Sequence, residues 1–261
     1  MKKLAWLSAL CLLAARAWPA LHTEAVEYKQ NTTTCEGYLA YDDSVKGKRP
    51  GVIVVHEWMG LGPYAKHRAD QIARLGYVAF AVDIYGKGVR AKDMKDAALL
   101  AGIYKNDRKL MRERALAGLE VLKNNSRVDS KRLAAIGYCF GGTTALEMAR
   151  SGADLAGVVS FHGGLDTPVP EDAKNIKGKV LALHGADDPY VTPEIVSKFE
   201  DEMRNAKADW QLVKFGGAVH GFTMQEAGND PSKGMAYNEA ADLRSWMMMR
   251  DFFDEIFKTA R

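Results

Sequence analysis

The chain predicts a single-domain α/β fold, a doubly wound and mostly parallel sheet with helices on both faces. Three observations carry that expectation. Short apolar runs alternate with amphipathic helical stretches along the whole length beyond residue 20. One run, Gly51-Val52-Ile53-Val54-Val55-His56, is almost continuously apolar, as a parallel strand covered on both faces must be. The 261 residues, 47% of them hydrophobic and 26% charged, suffice for one large core, and no linker, repeat or low-complexity tract divides them.

The first twenty residues stand apart. Lys2-Lys3, the apolar Leu4 to Ala15 and the small residues of Ala15-Arg16-Ala17 or Trp18-Pro19-Ala20 form the charged, apolar and cleavable parts of a secretory signal peptide. The apolar part is short for a bilayer span, so the expectation is cleavage after Ala17 or Ala20 and export to a periplasm, with no stable membrane anchor afterwards. Leu10, before Cys11, is too large for lipid-linked processing. The folded domain is then expected over residues 21–261.

Within that domain Val26 to Lys29 and Glu36 to Tyr41 read as an opening strand pair, and the polar Asp42 to Pro50 as a turn into the central strand. Tyr64 to Leu75 has helical spacing, with Ala65, Ala69, Ile72 and Ala73 on one side and Gly76 as the stop. Tyr77 to Val82 is the next strand. Lys92 to Lys123 carries one long helix or two shorter ones broken near Asn106-Asp107. Strands follow at Leu133 to Tyr138, Ala156 to Ser160, Lys179 to His184 and Trp210 to Phe215, with helices at Thr143 to Ala149, Pro193 to Ala206 and Ala236 to Phe257.

The chemistry concentrates where the strand Leu133 to Tyr138 meets its helix. Gly137-Tyr138-Cys139-Phe140-Gly141 is a Gly-x-nucleophile-x-Gly turn with Cys in the place of Ser. The glycines let two backbones pass closely, and the helix N-terminus beyond favours a thiolate or an oxyanion. An inert buried cysteine in a tight turn is the competing reading. In a doubly wound sheet the ligand crevice lies at the carboxyl ends of the strands. Two other ends carry matching groups: His184-Gly185-Ala186-Asp187-Asp188-Pro189-Tyr190-Val191, and Gly216-Gly217-Ala218-Val219-His220-Gly221-Phe222. Nucleophile, acid and histidine in this order along the chain follow the α/β-hydrolase arrangement. Asp188 is preferred to Asp187 because Gly185, Asp188 and Val191 fill a Gly-x-x-Asp-x-x-Val frame. A carboxylate here fixes the imidazole tautomer, and the imidazole handles the thiol proton and the attacking water. His56, His162 and His184 directly continue their strands and read as pocket wall or structural residues.

After signal cleavage two cysteines remain, Cys35 and Cys139, in a compartment that oxidises thiols. A bridge between them would consume the elbow thiol, and Cys35 lies in a β-rich stretch, so it is expected to be a strand residue. The 36 basic residues balance 33 acidic ones without a basic run, which excludes nucleic acid as an expected partner. No motif calls for a metal or another cofactor. The expected partner is a small molecule and the expected state a monomer.

Val52 to Gly62 with His56-Glu57-Trp58-Met59-Gly60, Asp83-Ile84-Tyr85-Gly86, Gly137-Tyr138-Cys139-Phe140-Gly141-Gly142, Asp188 and His220-Gly221-Phe222 together resemble the dienelactone hydrolase family over nearly all of the mature chain. The resemblance implies a Cys139, Asp188, His220 triad. It also implies that Glu57 contacts the thiol and accepts its proton when substrate enters, and that the backbone N–H groups of Phe140 and Trp58 form an oxyanion hole. Members that open carboxylated lactones place an Arg after the Asp-x-Tyr strand end and another after the histidine. Those positions read here as Lys87 and Met224, a point charge and an apolar side chain. Trp58, Phe161, His162 and Phe222 are expected to wall the pocket. The resulting expectation is an exported hydrolase of carboxylic esters or lactones working through a covalent thioester. The alternatives are a non-catalytic ligand-binding protein and a thiol-redox protein on the same fold.

Overall fold

The computed structural model describes residues 21–258, so the expected signal peptide lies outside the described residues. Eight strands form one sheet: β1 Leu21–Gln30, β2 Thr33–Asp42, β3 Arg49–Val55, β4 Val78–Val82, β5 Val128–Tyr138, β6 Gly157–Phe161, β7 Lys179–Gly185 and β8 Trp210–Phe215. Their spatial order is β1-β2-β4-β3-β5-β6-β7-β8. The β1–β2 and β2–β4 pairs are antiparallel and every other pair is parallel. Six helices cover it: α1 Pro63–Arg74, α2 Met94–Asn106, α3 Arg108–Lys123, α4 Phe140–Arg150, α5 Pro193–Ala206 and α6 Glu239–Ile256. Among the described residues no helix is long and apolar enough to cross a membrane.

The expected doubly wound sheet is present, and its two faces follow from the period of a strand. Along β3, Ile53 and Val55 belong to one apolar layer and Val52 and Val54 to the other. The first layer takes in Met111, Ala115, Leu119 and Leu122 of α3, Met148 of α4 and Phe199 of α5. The second takes in Ala69, Ile72 and Ala73 of α1 with Met249, Phe252 and Phe253 of α6. All four β3 side chains from Val52 to Val55 are completely buried, each stabilising the fold by roughly 2 kcal/mol.

The break near Asn106-Asp107 divides α2 from α3, because the Asp107 carboxylate accepts the Leu110 N–H at 2.9 Å and starts a new helix. Helix α6 begins at Glu239, three residues later than the apolar spacing implied, where Asn238 accepts the Ala241 N–H at 3.1 Å. Strand β5 begins five residues earlier than expected, at Val128. Its early part holds one buried apolar residue, Val128, which pairs with Arg49 of β3, and the polar residues 129–132 that follow carry no apolar signal. Cys35 is a free, fully buried residue of β2.

The functional consequence lies in the strand order. The chain winds outward from β3 to β4 on one side and resumes at β5 on the other. The ends of β3 and β5 therefore flank the point where a crevice opens. Glu57 and Trp58 follow β3, and Cys139 follows β5.

Candidate active site

Cys139 sits at the sharp turn between β5 and α4 with φ 54° and ψ −115°, a backbone that L-residues rarely adopt. Close packing enforces it. A Cβ on Gly137 would lie 1.9 Å from the Gly141 carbonyl oxygen, and one on Gly141 would lie 2.2 Å from that of Val55. Only glycine lets the helix start this near to β5 and β3. The turn lifts the Cys139 side chain to the mouth of α4, which begins at Phe140.

The other two expected groups converge on it. His220 Nε2 lies 3.0 Å from Cys139 Sγ, and His220 Nδ1 lies 2.8 Å from Asp188 Oδ2. Asp188 Oδ1 accepts the Tyr190 N–H at 2.8 Å, which holds the carboxylate in place. Asp187, the neighbouring acid, turns outward to accept the Gly217 N–H at 3.0 Å. Asp188 is thus the acid that reaches the histidine.

Electrostatics favour an ion pair. Burial opposes a charge on Cys139, but the adjacent His220 outweighs it and lowers the thiol below its ordinary value. His220 likewise resists the desolvation that would lower it, and the Cys139 and Asp188 charges push it up to about 10. A thiolate facing an imidazolium is the form this geometry stabilises.

Glu57 departs from the expectation. Its carboxylate accepts the Met59 N–H instead of contacting the thiol, and Sγ is engaged by His220. Burial raises the Glu57 carboxyl from the ordinary 4.5 to about 7, with the Met59 bond and Arg90 acting in the opposite direction. The Glu57–Met59 bond closes the turn that carries Trp58. Tyr85 donates to the Trp58 carbonyl at 2.9 Å and braces the same turn.

The cleft above Cys139 has a volume of about 290 Å³. Trp58, Phe140, Met224 and His220 are among the residues that line it. Lys87 does not. It is solvent-exposed, paired with Glu27 and with Glu36 at 3.4 Å, because the loop after β4 docks on β2 through the Lys87 N–H and the Thr34 carbonyl. Phe161 and Phe222 are also not walls. Phe161 stacks on Tyr138 at 4.6 Å between centroids, Phe222 packs edge-on against His162 at 5.1 Å, and both are core residues. His162 is completely buried beneath the elbow, with Nδ1 accepting the Cys139 N–H at 3.2 Å.

Sequence reading missed Met94, Lys105, Thr143, Asp166, Tyr190 and Met235 as cleft-lining residues. Tyr190 was discoverable, since it lies between Asp188 and Val191 on a crevice loop. Met94 and Lys105 carry no local signal, because the way α2 lies across the cleft mouth brings them in. Of the two roles open to His56 and His184, pocket wall or structural residue, burial favours the second, with His56 Nε2 accepting the Ile84 N–H at 3.2 Å.

With the geometry established, similarity to known proteins narrows the reading. Residues 35–257 match the profile of the dienelactone hydrolase family. A solved structure named m3DLH is 43% identical, with a TM-score of 0.88 over 92% of this chain and 100% of its own. A second, described as a dienelactone hydrolase-like promiscuous phosphotriesterase from metagenomic libraries, is 41% identical, with a TM-score of 0.86 over 91% and 99%. Among curated relatives, protein usf of Aquifex pyrophilus is 28% identical over 89% of this chain and 98% of its own. A match of this extent, on a fold of this topology, makes the chain a member of the dienelactone hydrolase family and a hydrolase of the ester and lactone class.

Proposed function

We propose that this protein hydrolyses neutral carboxylic esters or lactones through a Cys139, His220, Asp188 triad, and that it is exported with cleavage after Ala17 or Ala20. The observation that carries the triad is the unbroken hydrogen-bonded line from Asp188 through His220 to Cys139, with spacings of 2.8 and 3.0 Å. The Cys139 thiolate attacks the acyl carbon and the alkoxide leaves, protonated by His220. This forms a thioester on Sγ. His220 then takes a proton from water, and the resulting hydroxide displaces the thiolate to release the acid. Asp188 holds the imidazole with Nε2 toward the sulfur throughout.

The developing oxyanion is assigned to the N–H groups of Phe140 and Trp58. The first opens α4, and the second has no acceptor among the described residues. Each such donor accounts for about 3 kcal/mol of transition-state stabilisation. Glu57 is assigned to shaping the Trp58 turn, on the strength of its bond to the Met59 N–H. The preference for neutral substrates rests on the cleft's Met94, Val191, Met224 and Met235, with Lys105 as the one lysine or arginine in its lining among the described residues and the His220 charge already paired with Cys139 and Asp188. Turnover of p-nitrophenyl acetate, with an acetylated Cys139 trapped in acid and detected by mass, is the test. Hydrolysis by Cys139→Ala at the wild-type rate would overturn the proposal.

A second activity follows from the same apolar cleft and the phosphotriesterase relative at 41% identity. We propose that neutral aryl phosphotriesters also react, with Sγ attacking phosphorus, the aryloxide leaving, and water releasing the phosphodiester. Release of p-nitrophenolate from such an ester, absent in Cys139→Ala, tests it.

A further inference from the structure

We propose that His162 is a positioning residue: it ties the backbone of Cys139 to the loop that carries His220 and so sets the reach between sulfur and base. The proposal rests on the triad reading above. His162 is completely buried and holds φ at +40°, one of four non-glycine residues with positive φ among those described, Cys139 being another. Such a backbone persists where its surroundings over-determine it.

The surroundings are a directional chain of hydrogen bonds. Nδ1 accepts the Cys139 N–H at 3.2 Å, so the single ring proton is assigned to Nε2. Nε2 faces Thr223 Oγ1 at 2.7 Å. Thr223 follows His220 by three residues on the same loop and is itself buried. Its hydroxyl lies 2.6 Å from the Tyr64 hydroxyl, and its carbonyl accepts from Arg68 at 2.9 Å. Arg68, fixed by Asp242 at 2.8 Å, anchors the assembly to α1 and α6. The elbow and the histidine loop are thus joined through one imidazole.

Satisfying a buried donor does not account for this ring. The Cys139 N–H already has the Phe161 carbonyl at 3.0 Å, so His162 is a second acceptor on one donor. Its place is also unfavourable for a base. Burial lowers it well below the ordinary histidine range, the His220 charge adds to this, and the two rings sit edge to face at 5.4 Å. A neutral ring keeps Nδ1 free to accept. A protonated one would turn a second donor on the Cys139 N–H.

Two amides separate the ends of the bridge. In His162→Asn the side-chain oxygen replaces Nδ1 and keeps the acceptor at Cys139, whereas in His162→Gln the amide nitrogen replaces Nε2 and keeps only the link to Thr223. The readouts are kcat and KM for p-nitrophenyl acetate and the rate of Cys139 alkylation by iodoacetamide. His162→Gln should lose about 10²-fold in kcat with KM nearly unchanged and alkylate more slowly, and His162→Asn should recover most of that loss. Thr223→Val, which cuts the bridge from the other side, should lower both rates in the same direction and stands in if His162→Gln does not fold. Wild-type kcat and alkylation in folded His162→Gln or Thr223→Val would overturn the proposal, as would His162→Asn being as impaired as His162→Gln. Alkylation needs no ester turnover, so it tests His162 even if the hydrolase reading fails.

Discussion

Asp188 and His220 meet at 2.8 Å through Oδ2 and Nδ1, while Asp187, adjacent in the chain, bonds to the Gly217 N–H on the solvent side. The two acids therefore separate by function under the same substitution. Asp188→Asn should lower kcat by about 10²–10⁴-fold, because an amide no longer fixes the imidazole tautomer or stabilises its cation. Asp187→Asn should leave kcat within about twofold, as exposed substitutions usually do. Steady-state ester kinetics on both variants decide the assignment.

The Cys139–His220 ion pair makes a second prediction about pH. Against the cost of burial, Cys139 is lowered by the His220 charge and His220 is raised to about 10 by the Cys139 and Asp188 charges, so each partner favours the charged form of the other. Iodoacetamide should alkylate Cys139 at a nearly constant rate through neutral pH, and the rate should fall only in acid, as the thiolate takes up a proton. In His220→Asn the burial that His220 had outweighed is left unopposed by it, so the rate should stay low through neutral pH and climb only in more alkaline solution, no earlier than the ordinary thiol range near 8.5. Cys139→Ser should be a poor enzyme, because a hydroxyl in this site lacks the acidity to form the pair.

Glu57 predicts a stability effect of definite sign. Its native carboxyl is raised from 4.5 to about 7 by burial. Between those values the folded protein keeps a proton that the unfolded chain releases, so this group's contribution is full below about 4.5 and lost as pH rises through 7. The loss amounts to about 3 kcal/mol. Glu57→Gln should flatten that decline and unfold at a higher temperature than wild type at pH 8, with little difference at pH 5. Calorimetry at the two pH values checks it, and an equal Tm difference at both would refute it.

Substrate charge gives the fourth prediction. Lys87 is paired on the surface, so Lys87→Ala should leave kcat/KM unchanged for anionic and neutral lactones alike. Met224 and Lys105 do face the cleft. Met224→Arg should shift preference toward a carboxylated lactone, and Lys105→Met should shift it away. In the wild type the neutral lactone should be at least as good a substrate. A preference of about a hundredfold for the anion, roughly 2.7 kcal/mol, would show a stronger anion grip than this lining provides.

Much of the architecture was legible along the chain because it depends on local chemistry. The continuous apolar run at residues 51–56 could only be a doubly covered strand. Asn106-Asp107 announced a helix break, and glycines on either side of Cys139 announced a turn only they can make. Chain order alone placed Cys139, Asp188 and His220 on three crevice loops, since a parallel α/β sheet brings its strand ends to one edge.

What the tertiary structure decided were relations between segments distant in sequence. The docking of the β4 loop on β2 put Lys87 outside the cleft, and the lie of α2 across the cleft mouth put Met94 and Lys105 inside it. The fold turned Glu57 toward the Met59 N–H, sent Phe161 and Phe222 into the core, and set His162 between the nucleophile and the histidine loop. A strand period tells which face a residue occupies, but a hydrogen-bond partner 61 residues away, as Thr223 is from His162, exists only once both segments have packed.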